Sequence, residues 1–242
     1  MNTTLAIIGV GPGDPELLTV KAIRAVEKSS IIVTPKAKKN GNSTALSILE
    51  QGMDLAGKET LELHFPMKKI CLGEPPDAEV ETAWRAAADA VLQHLDNGRN
   101  VVFPTLGDPA IYSTGYYLYQ TIIEMRPEVE VNFTPGISAM SACSASTRQP
   151  ICLGDDKLAV IPATFTPERL EEILSSFDTI VLMKVHTVID ELRSLLDRLD
   201  LIHCSVLIER AGMADERIIG NLDEITGPLH YFSTIVVRKK SL

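Results

Sequence analysis

Apolar and polar positions along this chain follow two alternating rhythms. Strand-like runs at residues 4–9, 30–34, 59–64 and 99–105 predict strands, and the intervening residues repeat their apolar positions at helical spacing over about 16–28, 43–54 and 77–97. Strand and helix in regular succession predict an α/β fold with a parallel sheet, because each parallel pair needs a crossover and a helix supplies it. The pattern restarts in the second half, with strands expected at 129–134, 158–162, 179–185 and 205–210 and helices at about 137–147, 167–176 and 187–199. In the last helix Val188, Leu192, Leu195, Leu196 and Leu199 form an apolar stripe that core packing explains. Runs at 217–220 and 231–237 predict two further strands, antiparallel to the rest. The expected organisation is two α/β domains with mixed, mainly parallel sheets, residues 1–114 and 115–242, with a cofactor cleft between them as the default ligand site. Gly73, Pro75 and Pro76 predict a loop over residues 66–76, a candidate cover for a site.

Where the first apolar run ends, the chain reads Gly9-Val10-Gly11-Pro12-Gly13-Asp14-Pro15, a glycine turn between a strand and a helical stretch. Such a turn lets backbone approach a ligand at the carboxyl edge of a sheet. Its spacing does not suit a dinucleotide: Asp14 stands where a third glycine is needed, and Pro12 and Pro15 remove two N–H donors. The second strand ends in Val33-Thr34-Pro35-Lys36, without the carboxylate that takes a ribose hydroxyl, although Lys36 is compatible with the extra phosphate of NADP. A carboxylate in the loop repels phosphates and suits a cation such as the sulfonium of S-adenosylmethionine, so the implied ligand is zwitterionic rather than polyanionic. Gly107-Asp108-Pro109 repeats the trio Gly13-Asp14-Pro15 after another apolar strand. Turn composition alone produces such tripeptides. Their common position at strand ends favours one shared cleft.

With 242 residues, 45% of them hydrophobic, the chain can bury a sizeable core, and its net charge of −9 argues against a nucleic-acid surface. Lys36, Lys38 and Lys39 form a basic cluster that reads as a solvated loop or as a local patch facing an acidic small molecule. Cys71, Cys143, Cys152 and Cys204 show no metal-binding or paired spacing and read as reduced thiols. The histidines are scattered, so no protein metal site is expected. Without a signal segment or a long apolar run, the expected location is the cytoplasm, with no membrane partner.

Four segments together resemble the tetrapyrrole methylase superfamily: the glycine loop with Leu17-Leu18-Thr19, the junction Gly107-Asp108-Pro109, Thr134-Pro135-Gly136-Ile137-Ser138-Ala139, and Val181-Leu182-Met183-Lys184. They occur in order and span essentially the whole chain. Within the superfamily, Phe65-Pro66-Met67, Asp108-Pro109-Ala110-Ile111-Tyr112-Ser113-Thr114, Leu182-Met183-Lys184-Val185, Glu209-Arg210-Ala211-Gly212 and Tyr231-Phe232-Ser233 resemble the carbon-20 methyltransferases of cobalamin biosynthesis, which act on precorrin-2 or cobalt-factor II. The resemblance implies S-adenosylmethionine as cofactor, S-adenosylhomocysteine as product, a tetrapyrrole substrate and a homodimer. It places cofactor contacts on Pro12, Leu106, Gly107, Asp108, Ile111, Ser138, Ala139, Met183, Ala211 and Gly212. Gly11, Gly13, Asp14, Lys36, Tyr112 and Lys184 are the candidate substrate contacts. Lys38, Arg148 and Arg210 join Lys36 and Lys184 as candidate partners for ring carboxylates. Asp108 serves the methionine ammonium, caps the helix that follows, or does both. Some members carry a proton-accepting aspartate shortly after the second strand; Val33-Thr34-Pro35-Lys36 has none, so no catalytic base is assigned. A methylase of this fold acting on another ring position or on a macromolecule, as diphthine synthases do, is the alternative, and a nicotinamide oxidoreductase is a second.

Overall fold

The computed structural model describes residues 3–36, 43–66 and 76–240, and the structural statements below concern these residues. The chain divides into two compact units, Met1–Ser138 and Ala139–Leu242.

The first unit holds a sheet of β1 (Thr4–Gly9), β2 (Ile31–Lys36), β3 (Glu59–His64), β4 (Val101–Thr105) and β5 (Glu130–Thr134), in the order β3-β2-β4-β1-β5. Every pairing is parallel. Helices cover both faces, so the inner strands β1, β2 and β4 are largely buried and read as apolar runs, whereas the edge strands β3 and β5 intersperse exposed Glu59, Thr60, Glu62, Glu130 and Asn132 with half-buried apolar residues. Helices α3 (Ala78–Asp96) and α4 (Gly115–Met125) bury Val91, Leu95, Leu118 and Ile122 against Leu5, Ile7, Ile31, Val33 and Phe103. On the opposite face α1 (Val20–Lys28) and α2 (Thr44–Gly52) bury Ala22, Val26, Ile48 and Leu49 against Ile8, Ile32 and Val102.

The single helix expected at 16–28 is divided. Asp14 caps a 3-10 turn, Pro15–Leu17, and Thr19 then starts α1 by accepting a hydrogen bond from the Ala22 N–H at 3.1 Å. Thr19 is extended, with φ −73° and ψ 144°, so the turn and the helix cannot be continuous. The boundary between the units falls at 138/139 rather than at the 114/115 expected from the sequence. β5 pairs with β1 from Thr4↔Glu130 to Ile8↔Thr134, and α4 adds Leu118 and Ile122 to the first core.

The second unit contains α5 (Ala139–Thr147), β6 (Leu158–Pro162), α6 (Pro167–Ser176), β7 (Thr179–Met183), α7 (Ile189–Arg198), β8 (Ser205–Glu209), β9 (Arg217–Ile219) and β10 (Ser233–Arg238). Its sheet runs β6-β7-β10-β8-β9. As expected from the sequence, the last two strands are antiparallel to their neighbours: β10 lies between β7 and β8, and β9 pairs with β8. Leu170 and Leu174 of α6 and Leu192, Leu195 and Leu196 of α7 fill one face. Cys143 of α5 packs on the other, against Val181, Val206, Ile208 and Val236. At the end of this sheet where β7 begins, Arg238 meets Asp156 at 2.8 Å and Lys240 reaches Asp156 and Asp178 at 3.1 and 3.3 Å. Among the described residues no helix is long and apolar enough to cross a membrane, and no three His, Cys, Asp or Glu side chains cluster in a way that would hold a metal.

Candidate functional site

In the first sheet the chain leaves β1 toward β2 on one side and leaves β4 toward β5 on the other. The ends of β1 and β4 are therefore the topological switch point, where open α/β sheets bind their ligands. The two Gly-Asp-Pro loops start there. They are joined to each other: the Gly11 N–H donates to the Gly107 carbonyl at 3.3 Å, the Gly107 N–H donates to the Gly11 carbonyl at 2.7 Å, and the Val10 N–H donates to the Thr105 carbonyl at 3.0 Å. Gly11 and Gly107 have φ of 81° and 68°, a left-handed backbone that glycine adopts without penalty.

The third motif closes on the other two through Gly136. A Cβ placed there would lie 2.3 Å from the Gly107 carbonyl oxygen and 2.8 Å from the Gly9 Cα, so the three loops touch backbone to backbone. Asp108 fastens this contact. Its Oδ2 accepts from the Gly136 N–H at 2.9 Å and its Oδ1 from the Ala110 N–H at 2.8 Å. The capping role considered for Asp108 is not what the structure shows. The α4 terminus is served by Ser113, whose Oγ accepts from the Gly115 N–H at 3.0 Å and meets the Thr105 hydroxyl at 2.9 Å. A carboxylate oxygen can accept more than one hydrogen bond, so Asp108 is chemically suited to an ammonium group as well.

The other sequence candidates of this unit sit around the same edge. Pro12 is buried, while Gly13 and Asp14 are half-buried, Asp14 accepting from the Glu16 N–H at 2.8 Å. Leu106 packs into the α1/α2 core. Ile111 closes a turn onto the Asp108 carbonyl at 3.2 Å. Tyr112 is 52% exposed, and partial burial of its hydroxyl raises its pKa. Ser138 is buried. Lys36, the last residue of β2, is paired with Glu62 at 3.0 Å. Lys38 and most of the 66–76 loop lie outside the described residues.

In the second unit Met183 and Ala211, at the exits of β7 and β8, pack beside the same apolar cluster as Met140 of α5, whose first residue is Ala139. Gly212 has φ 73° and donates its N–H to Glu216 Oε2 at 2.7 Å. Lys184 follows β7 directly, and Arg210 follows β8. Arg210 is engaged locally: Nε lies 3.0 Å from the Asp215 carboxylate and the guanidinium donates to the Asp215 carbonyl. Among the described residues five non-glycine residues have positive φ, and Tyr112, Arg148, Lys184 and Arg210 are four of them. The left-handed conformation costs a side-chain-bearing residue about 1–2 kcal/mol, and such strain gathers at functional sites.

Sequence reasoning missed Glu216, which also accepts from the Ser146 hydroxyl at 2.8 Å, and the Thr105–Ser113 contact. The Glu216 bond to Gly212 is local, but the link to Ser146 joins residues 70 apart in the chain, which no local pattern reveals. The donor count of the first unit also bears on the ligand. The N–H groups of Val10, Gly11, Gly107 and Gly136 are all engaged within the loops, and Pro12, Pro15 and Pro109 have none. This is a poor phosphate cradle and a reasonable seat for a zwitterion.

Comparison with known proteins agrees with this chemistry. The family model for tetrapyrrole (corrin/porphyrin) methylases matches residues 4–226. Cobalt-precorrin-2 C(20)-methyltransferase of Salmonella typhimurium is 34% identical over 99% of this chain and 98% of its own length. The probable cobalt-precorrin-2 C(20)-methyltransferase of Methanocaldococcus jannaschii is 37% identical over 90% and 87%. Precorrin-2 C(20)-methyltransferase of a Sinorhizobium species is 31% identical over 95% and 93%. In fold, the chain is similar to uroporphyrin-III C-methyl transferase from Thermus thermophilus, solved in complex with S-adenyl homocysteine, with TM-score 0.67, 19% identity and coverage of 98% and 92%. Three glycine-locked loops at the switch point and a match along nearly the whole sequence lead to one conclusion: the chain belongs to the tetrapyrrole methylase family.

Proposed function

We propose that this protein transfers a methyl group from S-adenosylmethionine to carbon 20 of precorrin-2 or its cobalt-containing counterpart in cobalamin biosynthesis. The observation that carries the reading is the identity of 31–37% over most of the chain to three proteins named for that reaction. The cofactor supplies a methyl group already activated by its sulfonium. The chain's own residues bind, orient and exclude water, which is where catalysis rests when both reactants are reactive. Asp108 takes the methionine ammonium. Pro12, Leu106, Gly107 and Ile111 in the first unit, with Ser138, and Ala139, Met183, Ala211 and Gly212 in the second, supply apolar surface and backbone groups for the rest of the cofactor. Gly11, Gly13, Asp14, Tyr112, Lys36 and Lys184 face the ring substrate, the two lysines serving its carboxylates.

The transfer replaces a ring hydrogen with a methyl group, so one proton must leave, and no residue is assigned to accept it. The protein is a cytoplasmic homodimer in this reading; light scattering that gives a stable monomer refutes the dimer. The test of activity is anaerobic incubation with labelled S-adenosylmethionine and, in parallel, precorrin-2 and cobalt-factor II. One methyl gained at carbon 20, located by NMR, supports the function and shows which ring is used. No transfer to either ring, with S-adenosylhomocysteine still bound, refutes the ring assignment and leaves the cofactor.

A further inference from the structure

We propose that Glu216 is a positioning residue that holds the β8–β9 loop in its cofactor-binding place. The proposal rests on the functional reading above, in which Ala211 and Gly212 contact S-adenosylmethionine. The loop over residues 210–216 is short and internally braced. The Met213 N–H donates to the Arg210 carbonyl at 2.9 Å and the Glu216 N–H to the Met213 carbonyl at 3.0 Å, so two turns follow one another. At its base Arg217 pairs with the buried Glu209, and the Arg210 N–H donates to the Phe232 carbonyl at 2.7 Å. These contacts fix the loop to its own hairpin and to the segment before β10. They do not fix it to α5.

Glu216 makes that link. One oxygen, Oε2, accepts from the Gly212 N–H at 2.7 Å and from the Ser146 hydroxyl at 2.8 Å, in the last turn of α5. Hydrogen bonds to a carboxylate are among the stronger ones a protein makes. The Gly212 N–H is engaged by this contact, so Gly212 has its carbonyl and its bare Cα to offer an adenosine. Loss of the Glu216 carboxylate frees the loop to adopt other positions, and cofactor affinity falls by the fraction of molecules in which the loop is misplaced.

The geometry also predicts which replacement is tolerated. Both bonds converge on one oxygen, so the amide oxygen of glutamine can accept both, whereas alanine accepts neither. The test is isothermal titration calorimetry with S-adenosylhomocysteine, and steady-state kinetics, on wild type, Glu216→Ala, Glu216→Gln and Ser146→Ala below the melting temperature of each. Glu216→Ala is expected to weaken binding about tenfold and to raise the KM for S-adenosylmethionine to match, with kcat at saturation within about twofold. Glu216→Gln is expected to stay within about threefold of wild type, and Ser146→Ala to lose about threefold. Should Glu216→Ala fail to fold, the other two variants decide: equal affinities for wild type and Ser146→Ala, or a Glu216→Gln as weak as tenfold, overturn the proposal. A folded Glu216→Ala that binds as wild type does overturns it alone. Wild type that binds no S-adenosylhomocysteine overturns the functional reading with it.

Discussion

Replacing Asp108 tests how the three motif loops are held together. In Asp108→Ala the Gly136 N–H loses a partly buried charge-assisted bond of 2.9 Å and the Ala110 N–H loses an exposed one of 2.8 Å. The first contributes about 1.5–2 kcal/mol and the second, open to water, about 0.5–1 kcal/mol, for a total of about 2–3 kcal/mol. Asp108→Asn keeps a single carbonyl oxygen and turns its NH2 toward the other N–H, so about half of that loss is expected. The chain provides its own reporter. Trp84, its only tryptophan, belongs to the first unit and stacks on Tyr117 with ring centres 4.6 Å apart. Urea unfolding followed by tryptophan fluorescence therefore reads the unit that contains Asp108. With a slope of about 2–3 kcal/mol per molar, the midpoint should fall by about 1 M in Asp108→Ala and by about 0.5 M in Asp108→Asn. A midpoint for Asp108→Ala within about 0.2 M of wild type would refute the idea that this carboxylate fastens the loops.

Three further outcomes are expected. Gly136→Ala should cost about 3 kcal/mol in the same urea assay because its Cβ meets backbone of two other loops, whereas Gly57→Ala, at φ 80° in open space, should cost only about 1–2 kcal/mol; equal losses would contradict the packing argument. The Leu153 N–H, with Arg238 and Lys240, lowers the Asp156 pKa from 3.8 to about 2, so the stability it contributes is complete above about pH 4 and disappears as the pH falls toward 2. Acid unfolding followed by circular dichroism should lose part of its dependence in that window in Asp156→Asn, and an unchanged acid limb would count against the link. Burial pushes the Cys143 thiol up to about 12, so iodoacetamide at pH 8 should leave Cys143 intact while alkylating the exposed Cys152; modification of both at similar rates, read by peptide mass, would contradict the buried placement.

The strands at 4–9 and 101–105 were legible because burial on both faces writes an apolar run into the sequence, the edge strand at 59–64 because half-buried Leu61 and Leu63 alternate with exposed Thr60 and Glu62, and the glycine loops because left-handed backbone and close approach leave few alternatives to glycine. The break at Thr19 was less legible, since helical spacing continues across it and only the cap separates the turn from α1. The unit boundary was misplaced because strand order leaves no local trace: nothing in residues 129–134 says that they will lie beside β1. The candidate site divides the same way. Motif glycines and Asp108 were recognisable, but the Asp108 partner at Gly136 and the Glu216 link to Ser146 depend on contacts between distant segments. The left-handed turns at Tyr112, Lys184 and Arg210 could not be read from residue types that ordinarily avoid such backbone.

The position of β5 bears on how the first unit forms during synthesis. β1 is made first, yet one of its two neighbours is made last, and the glycine contact with Gly136 waits until roughly 130 residues have emerged. At the usual elongation rate of about 5–20 residues per second, that interval is roughly 6–25 s. Until β4 is made neither side of β1 is paired, and until β5 is made one side still is not, so the nascent chain carries Leu5, Ile7 and Ile8 on a strand with an open edge, the condition in which sheets recruit foreign strands. A ribosome stalled between α4 and β5 thus presents a sticky intermediate, and chaperone occupancy of the nascent chain should end when residue 136 clears the exit tunnel.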